Sequence, residues 1–150
     1  SGRSVGVGPG CVCTVKDEVP RRVPSPGARL VADSLSLFGG AVDADLEGGA
    51  TLPLADTPRR AAVHCHCHQK AAGAAGATLR LLGRVPGLEV TAIESGCCGM
   101  AGAFGYHAEH FDISMQMGEL ELLTAVREQQ DDTLIVAPGT SCREIGRAHV

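Results

Sequence analysis

Short apolar runs alternate with segments of helical period along this 150-residue chain, and each of its seven cysteines falls just after one of the runs. The runs are "SVGVG" (4–8), "AAVH" (61–64), "LEVTAI" (88–93) and "DTLIVAP" (132–138). The last is short and wholly apolar, the pattern of a strand buried in a parallel sheet. Between them, apolar residues recur every three or four positions in 28–38, 69–85 and 112–129, which predicts helices there. Gly39-Gly40 is expected to end the first helix, and residues 40–60, rich in Gly, Asp and Pro, read as a surface loop. The order predicts an α/β fold: a parallel sheet built from βα units, with cysteine loops at the carboxyl ends of the strands. Ligands of such folds bind at that edge.

The cysteines sort onto it. Cys11 and Cys13 follow the first run, Cys65 and Cys67 the second, Cys97 and Cys98 the third, and Cys142 the fourth. Adjacent Cys97 and Cys98 are poorly placed for a disulfide to each other, since that bond wants more widely spaced α-carbons. An odd cysteine count beside several histidines suits metal or redox chemistry in a reducing compartment better than a disulfide framework. The spacing Cys67-x29-Cys97-Cys98-Gly99-x42-Cys142 brings soft thiolates from three loops, a set that holds an iron–sulfur cluster or a zinc ion. Structural zinc more often draws on C-x2–4-C knuckles than on neighbouring residues. Each cysteine taken singly also reads as a small buried hydrophobe. Gly96 and Gly99 flank the pair and allow close approach of backbone to an inorganic group.

Composition narrows the classes. A formal charge of −4 with 13 Lys and Arg offers no basic stripe for nucleic acid. No apolar run reaches transmembrane length and no signal peptide opens the chain. Aromatic residues make up only 3%, so Leu, Val, Ile and Ala must fill the core.

Four stretches together, "HCHCHQKA" (64–71), "ESGCCGMAGAFGY" (94–106), "HFDISMQMGE" (110–119) and "IVAPGTSCR" (135–143), resemble the cysteine-rich CCG domain. The form they resemble stands at the C-terminal end of FAD-linked 2-hydroxyacid oxidases and dehydrogenases. Related domains occur in the iron–sulfur subunits of glycolate oxidase and anaerobic glycerol-3-phosphate dehydrogenase, and in heterodisulfide reductase. The resemblance implies two repeats. Residues 1–60 hold the end of a first repeat plus a helix and linker loop, and 61–143 form the second. It implies metal ligation by Cys67, Cys97, Cys98 and Cys142, with Cys11 a ligand belonging to the first repeat. Gly8 and Gly139 stand where the leading cysteine of each C-x-x-C would be. The resemblance so reduced implies a four-thiolate [4Fe–4S] cluster rather than a five-thiolate one, with Cys13 and Cys65 as spare small residues.

It further implies an electron-transfer portion of a flavin-dependent dehydrogenase for a 2-hydroxyacid of the D-lactate, glycolate or 2-hydroxyglutarate kind. FAD would sit in an upstream domain, ferredoxin-like domains or subunits would be partners, and a quinone or other acceptor would take the electrons. The expected place is the cytoplasm, or the inner face of the membrane as a peripheral protein. No residue is assigned a catalytic role, and the fragment is not expected to turn over substrate alone. Two rivals stand beside this reading: a thiol or heterodisulfide reductase acting at Cys97–Cys98, and a non-catalytic zinc-binding domain.

His64, His66 and His68 alternate with Cys65 and Cys67 as on opposite sides of an extended segment, and are candidates to surround the ligands. A histidine there can ligate metal, donate to a cluster sulfide or relay a proton, or else serve structurally, bonded to backbone. His107 and His110 are expected to cap or face solvent, and Met100, Met115 and Met117 to pack. The chain opens without methionine and stops soon after Cys142, as a piece of a longer protein would. One codon choice for residues 144–150 reads as sequencing-adapter DNA. That segment is therefore expected to be a non-native or disordered tail that packs against nothing, and Arg147 and His149 receive no role.

Overall fold

A computed structural model describes residues 2–149. The three later runs form one parallel sheet, β3 (Arg60–Val63), β4 (Glu89–Ala92) and β5 (Leu134–Val136), in the order β4-β3-β5. Ala61 pairs with Val90 and Leu134, Ala62 with Thr91 and Ile135, and Val63 with Ala92 and Val136. The central strand is the most buried, with Ala61, Ala62 and Val63 at 1% exposure or less. Its small side chains let layers on both faces come close. The expected parallel sheet is there, but β5 lies at an edge, so Ile135 is exposed where full burial was expected.

The period of two fixes which residues make the core. Two residues beyond Thr91 and Ile135, Ile93 and Ala137 share the face of Ala62. That face packs with Cys98, Met100, Leu122, Cys142 and Ile145, and with Met115 and Val126 beside them. Two thiols thus belong to the main apolar cluster.

The first part of the chain differs from expectation. β1 (Ser4–Gly6) pairs in parallel with β2 (Leu35–Leu37) in a separate two-stranded sheet. A continuous helical run follows β1: α1 (Pro9–Cys13), a π-helical turn (Thr14–Glu18) and α2 (Val19–Arg22). The helix expected over 28–38 is α3 (Pro26–Ser34), begun by Pro26 and by the Ser25 hydroxyl accepting from the Ala28 amide at 3.1 Å. It stops early because Leu35–Leu37 are drawn into the ladder with β1. Gly39-Gly40 do not end a helix but lie in the first turn of α4 (Phe38–Glu47), within the segment expected to be loop. A side chain at Gly39 would press on Thr78 Oγ1 at 3.0 Å, so glycine lets α4 approach α6 (Ala75–Gly83).

An ion pair fastens that approach. Asp43 of α4, 2% exposed, accepts from Arg80 Nε at 2.9 Å and Nη2 at 2.7 Å, with Arg84 at 3.4 Å. An acidic loop composition hid a buried anchor.

The other helices are broken. Residues 69–85 divide into α5 (Cys67–Ala71) and α6, parted at Gly73, whose φ of +68° a continuous helix cannot contain. Residues 112–129 divide into α7 (Phe111–Glu119) and α8 (Leu122–Arg127), with Glu121 in non-helical backbone. α9 (Thr140–His149) follows β5. The expectation that 144–150 pack against nothing fails at Ile145, which is 3% exposed within the core cluster. Its position one turn beyond Cys142 places it on the same helix face. No described helix is long and apolar enough to cross a membrane.

Asp43→Asn removes charge from a buried, multiply bonded group and is expected to lower the unfolding free energy by about 1.5–3 kcal/mol in a urea titration. Asp45→Asn breaks only the exposed pair with Arg3 and is expected to leave the midpoint within error. Equal effects would show that Asp43 is not an anchor.

Candidate metal centre

Four loops leave the carboxyl ends of β3, β4, β5 and β1, and they meet. Cys67 opens α5, Cys97 and Cys98 stand in the turn after β4, and Cys142 lies in the first turn of α9. Their thiols act on one another: Cys98 exchanges hydrogen bonds with Cys142 and Cys97, and Cys67 feels the charges of Cys97 and Cys98. Cys67, Cys97 and Cys98 border a cavity of about 330 Å³, walled also by His66, His68 and Ser141, with Gly10, Ala101 and Gly102. Cys142, next to Ser141, is buried with Cys98 in the apolar cluster. Among the described residues no three His, Cys, Asp or Glu side chains converge on a point as the ligands of a single ion would. Three of the thiols border a volume, and the fourth bonds one of them.

The turn carrying the pair is held by its backbone. Gly99 has φ +93°, and a Cβ there would lie 2.0 Å from the Ser114 carbonyl oxygen. Only glycine permits both the dihedral and the contact. On α7, Ser114 and Gly118 face the turn one helical turn apart, both small and both buried. A Cβ on Gly118 would stand 3.1 Å from the Cys98 carbonyl oxygen. Ser114 donates to the Gly99 carbonyl at 2.9 Å. Glu121, freed by the break between α7 and α8, accepts from the Gly96 amide at 2.6 Å. Lys70 of α5 donates to the Ser95 carbonyl. Sequence reasoning missed these three polar anchors. Only the Ser114–Gly118 spacing carried a signal, as a pair of small residues on an otherwise large-sided helix.

So held, the turn aims amides at sulfur. The Gly99 N–H donates to Cys97 Sγ at 3.4 Å, and the Met100 and Ala101 amides donate to Cys98. The Cys98 thiol is lowered to about 6, foremost by the hydrogen bond from Cys142, with these amides and Cys97 helping and burial opposing. Cys142 is pushed up, because it is the donor in that bond and is buried beside a forming thiolate. In that bond Cys142 donates and Cys98 accepts. Burial, followed by the charge of Cys97, pushes Cys67 up. Together the four sulfurs make a soft and concentrated donor set, with Cys98 the one its surroundings favour as thiolate.

Of the other candidates, Cys11 is exposed on α1, while Gly10 beside it lines the cavity. Cys13 donates to the His68 carbonyl at 3.6 Å, outside the cavity wall. Cys65 is buried and its thiol is pushed up by that burial.

The histidines do not keep strict alternation, since α5 begins at Cys67. His66 Nδ1 accepts from the His68 amide at 3.1 Å and so caps that helix. His66 and His68 line the cavity with ring centroids 5.1 Å apart. His64 instead extends β3, its amide donating to the Val136 carbonyl at 2.9 Å. Its Nδ1 lies 2.8 Å from Ser95 Oγ, and burial lowers its pKa to about 4, so it is neutral. His110 stands at the N-cap position of α7, as expected, though without a side-chain capping bond, and its ring stacks on Phe104 at 4.1 Å. Met100 and Met115 pack as expected, and Met117 is exposed.

Comparison with known families finds the cysteine-rich domain CCG matched over residues 61–144, which includes all four converging cysteines. The chain belongs to the CCG cysteine-rich domain family. It is also similar to one of the subunits of anaerobic glycerol-3-phosphate dehydrogenase, from Escherichia coli strain K12 and from Escherichia coli O157:H7, 33% identical over 135 residues in each case. The alignment covers 89% of this chain and 33% of each relative, so the chain spans about a third of the length of the curated relatives it matches. No solved structure matches. The CCG turn that gives the family its name is the turn built around Gly99.

Gly99→Ala is expected to lower the thermal midpoint sharply. The left-handed backbone alone costs a non-glycine residue about 1–3 kcal/mol, and the collision with Ser114 adds to it. Gly102→Ala, also at positive φ but with open space around it, carries the backbone cost alone. A Gly99→Ala melt no lower than that of Gly102→Ala would show that contact with α7 does not hold the turn.

Proposed function

We propose that this chain is the iron–sulfur-binding, electron-transfer portion of a flavin-dependent dehydrogenase. Cys67, Cys97, Cys98 and Cys142 would hold a [4Fe–4S] cluster. The observation that carries the reading is a group of four interacting thiols, Cys67, Cys97 and Cys98 lining one cavity and Cys142 bonded to Cys98, at the edge where a parallel sheet binds ligands. The donor set fits such a group: soft, gathered from three loops, and served by amides that donate to sulfur. When bound, the cluster supplies one-electron acceptance and release.

The chain's own residues supply the setting. Gly96, Gly99 and Gly102 keep the turn narrow, the Gly99, Met100 and Ala101 amides offset negative charge on sulfur, and the apolar cluster behind Cys98 and Cys142 excludes water from that side. Electrons would come from FAD housed outside this chain, by way of ferredoxin-like clusters, and leave to a quinone or other acceptor. The substrate would be a 2-hydroxyacid or, following the name of the relatives, glycerol 3-phosphate. In either case the reaction is oxidation of a small hydroxylated anion elsewhere in the assembly. Cys11 would serve a further site completed by residues outside this chain. Adjacent cysteines at 97 and 98, in place of a C-x2–4-C knuckle, favour this reading over a zinc scaffold.

Anaerobic reconstitution with ferrous iron and sulfide is expected to give a brown protein with about four irons per chain. Replacing Cys67, Cys97, Cys98 or Cys142 with Ser should remove most of that iron. Cys11→Ser, Cys13→Ser and Cys65→Ser should keep it. A colourless chain that binds one zinc through the same four cysteines would establish the scaffold reading instead. Reduction of a disulfide substrate by the isolated chain would favour the thiol reductase.

A further inference from the structure

His66 and Gly139 are 73 positions apart yet compete for one space. A Cβ built on Gly139 would lie 2.1 Å from His66 Cδ2, 3.0 Å from Cγ and 3.1 Å from Nε2. The imidazole therefore occupies the room that any side chain at position 139 would need, at the mouth of the strand-to-helix turn leading to Cys142. The same ring lines the thiol cavity.

Its proton can be placed. Nδ1 accepts the His68 backbone N–H at 3.1 Å, so Nδ1 carries no hydrogen. The neutral ring then holds its single proton on Nε2. Cys67 Sγ lies 3.9 Å from Nδ1, a longer and weaker contact than the amide. Among the described residues no protein group takes the Nε2 hydrogen. Ligation of a metal through Nε2 would require loss of that last proton while Nδ1 still accepts from the amide, which leaves an anionic ring among thiolates.

We propose that His66 is a fixed N–H donor, through Nε2, to the sulfur-bearing occupant of the cavity, held there by the His68 cap and the vacancy at Gly139, and is not itself a ligand. It is a positioning and tuning residue, and its partner is a sulfur atom carrying negative charge. The assignment rests on the iron–sulfur reading for the identity of that sulfur. The ring's tautomer and placement do not depend on it.

Two measurements test it. In the metal-free chain labelled with ¹⁵N-histidine, long-range ¹H–¹⁵N correlations at neutral pH should show His66 with hydrogen on Nε2 and a bare Nδ1. Hydrogen on Nδ1 would overturn the proposal. In the iron-loaded chain, His66→Ala should move the midpoint potential to more negative values, because donors to sulfur favour the reduced form. His66→Gln, which can keep an N–H donor, should lie nearer the unsubstituted chain. Gly139→Ala should displace the ring and give the same negative shift while leaving all four thiols. In the double variant H66A/G139A the new methyl has the vacated space, so its potential should match that of His66→Ala, not the sum of the two changes.

An unchanged potential in His66→Ala would overturn the proposal, as would a directly bonded nitrogen in pulsed EPR of the reduced chain. A chain that takes up no iron would refute the function proposed above. The tautomer of the metal-free ring would still decide whether His66 is a donor.

Discussion

The contact between Gly99 and the Ser114 carbonyl is the constraint on which the site depends. Two backbones meet there at a distance that leaves no room for a methyl group, and the left-handed turn at Gly99 is what brings them together. From that contact follow the direction of Cys97 and Cys98, the aim of the Met100 and Ala101 amides, and the need for small residues at 114 and 118. The polar anchors have a common logic. Ser114, Glu121 and Lys70 each bond a backbone group of the segment from Ser95 to Gly99, not a thiol. They fix the frame and leave sulfur free, as a metal site with oriented ligands requires.

Sulfur electrostatics then depend on the frame. A buried thiol ordinarily resists ionisation, and Cys65 and Cys67 do so here. Cys98 is 3% exposed and still shifts the other way, foremost because the Cys142 thiol donates to it, with Cys97 and two amides adding to the effect. Burial and readiness to ligate are reconciled only where the turn supplies donors. That distinguishes Cys98 from Cys65, which is equally buried but lies in an extended segment without them.

Much of the sheet was legible because β-strand signals are local. "AAVH", "LEVTAI" and "DTLIVAP" became β3, β4 and β5, and the fall of the cysteines after them placed four thiols at one edge. What escaped was non-local. Nothing near Asp43 announces that Arg80 and Arg84 will reach it, so a helix packed on another helix read as an acidic loop. Leu35–Leu37 fit a helical period but were claimed by a strand partner near the start of the chain. Glu121 looked like one more polar residue on an exposed helix face, and its use required a helix break that only tertiary packing imposes. Ile145 was set aside with its tail, although its place one turn after Cys142 on the same helix carries it into the core.

The two Gly-x-x-Cys segments show how far sequence symmetry can be carried into structure. Gly8 and Gly139 each end a stretch that leaves a parallel strand, and each precedes a helix that bears its cysteine. Gly10 and Ser141, each just before that cysteine, line the same cavity from opposite parts of the chain. The equivalence stops at sulfur. Cys142 is buried against Cys98, whereas Cys11 is exposed. The difference lies in what surrounds them. The second segment enters a cavity already framed by a glycine turn and its three anchors, while α1 lies against α5, the helix that His66 caps and Cys67 opens. A place just after a parallel strand brings a cysteine to the edge of a sheet. A partner turn with inward-pointing amides is what makes that edge a donor set.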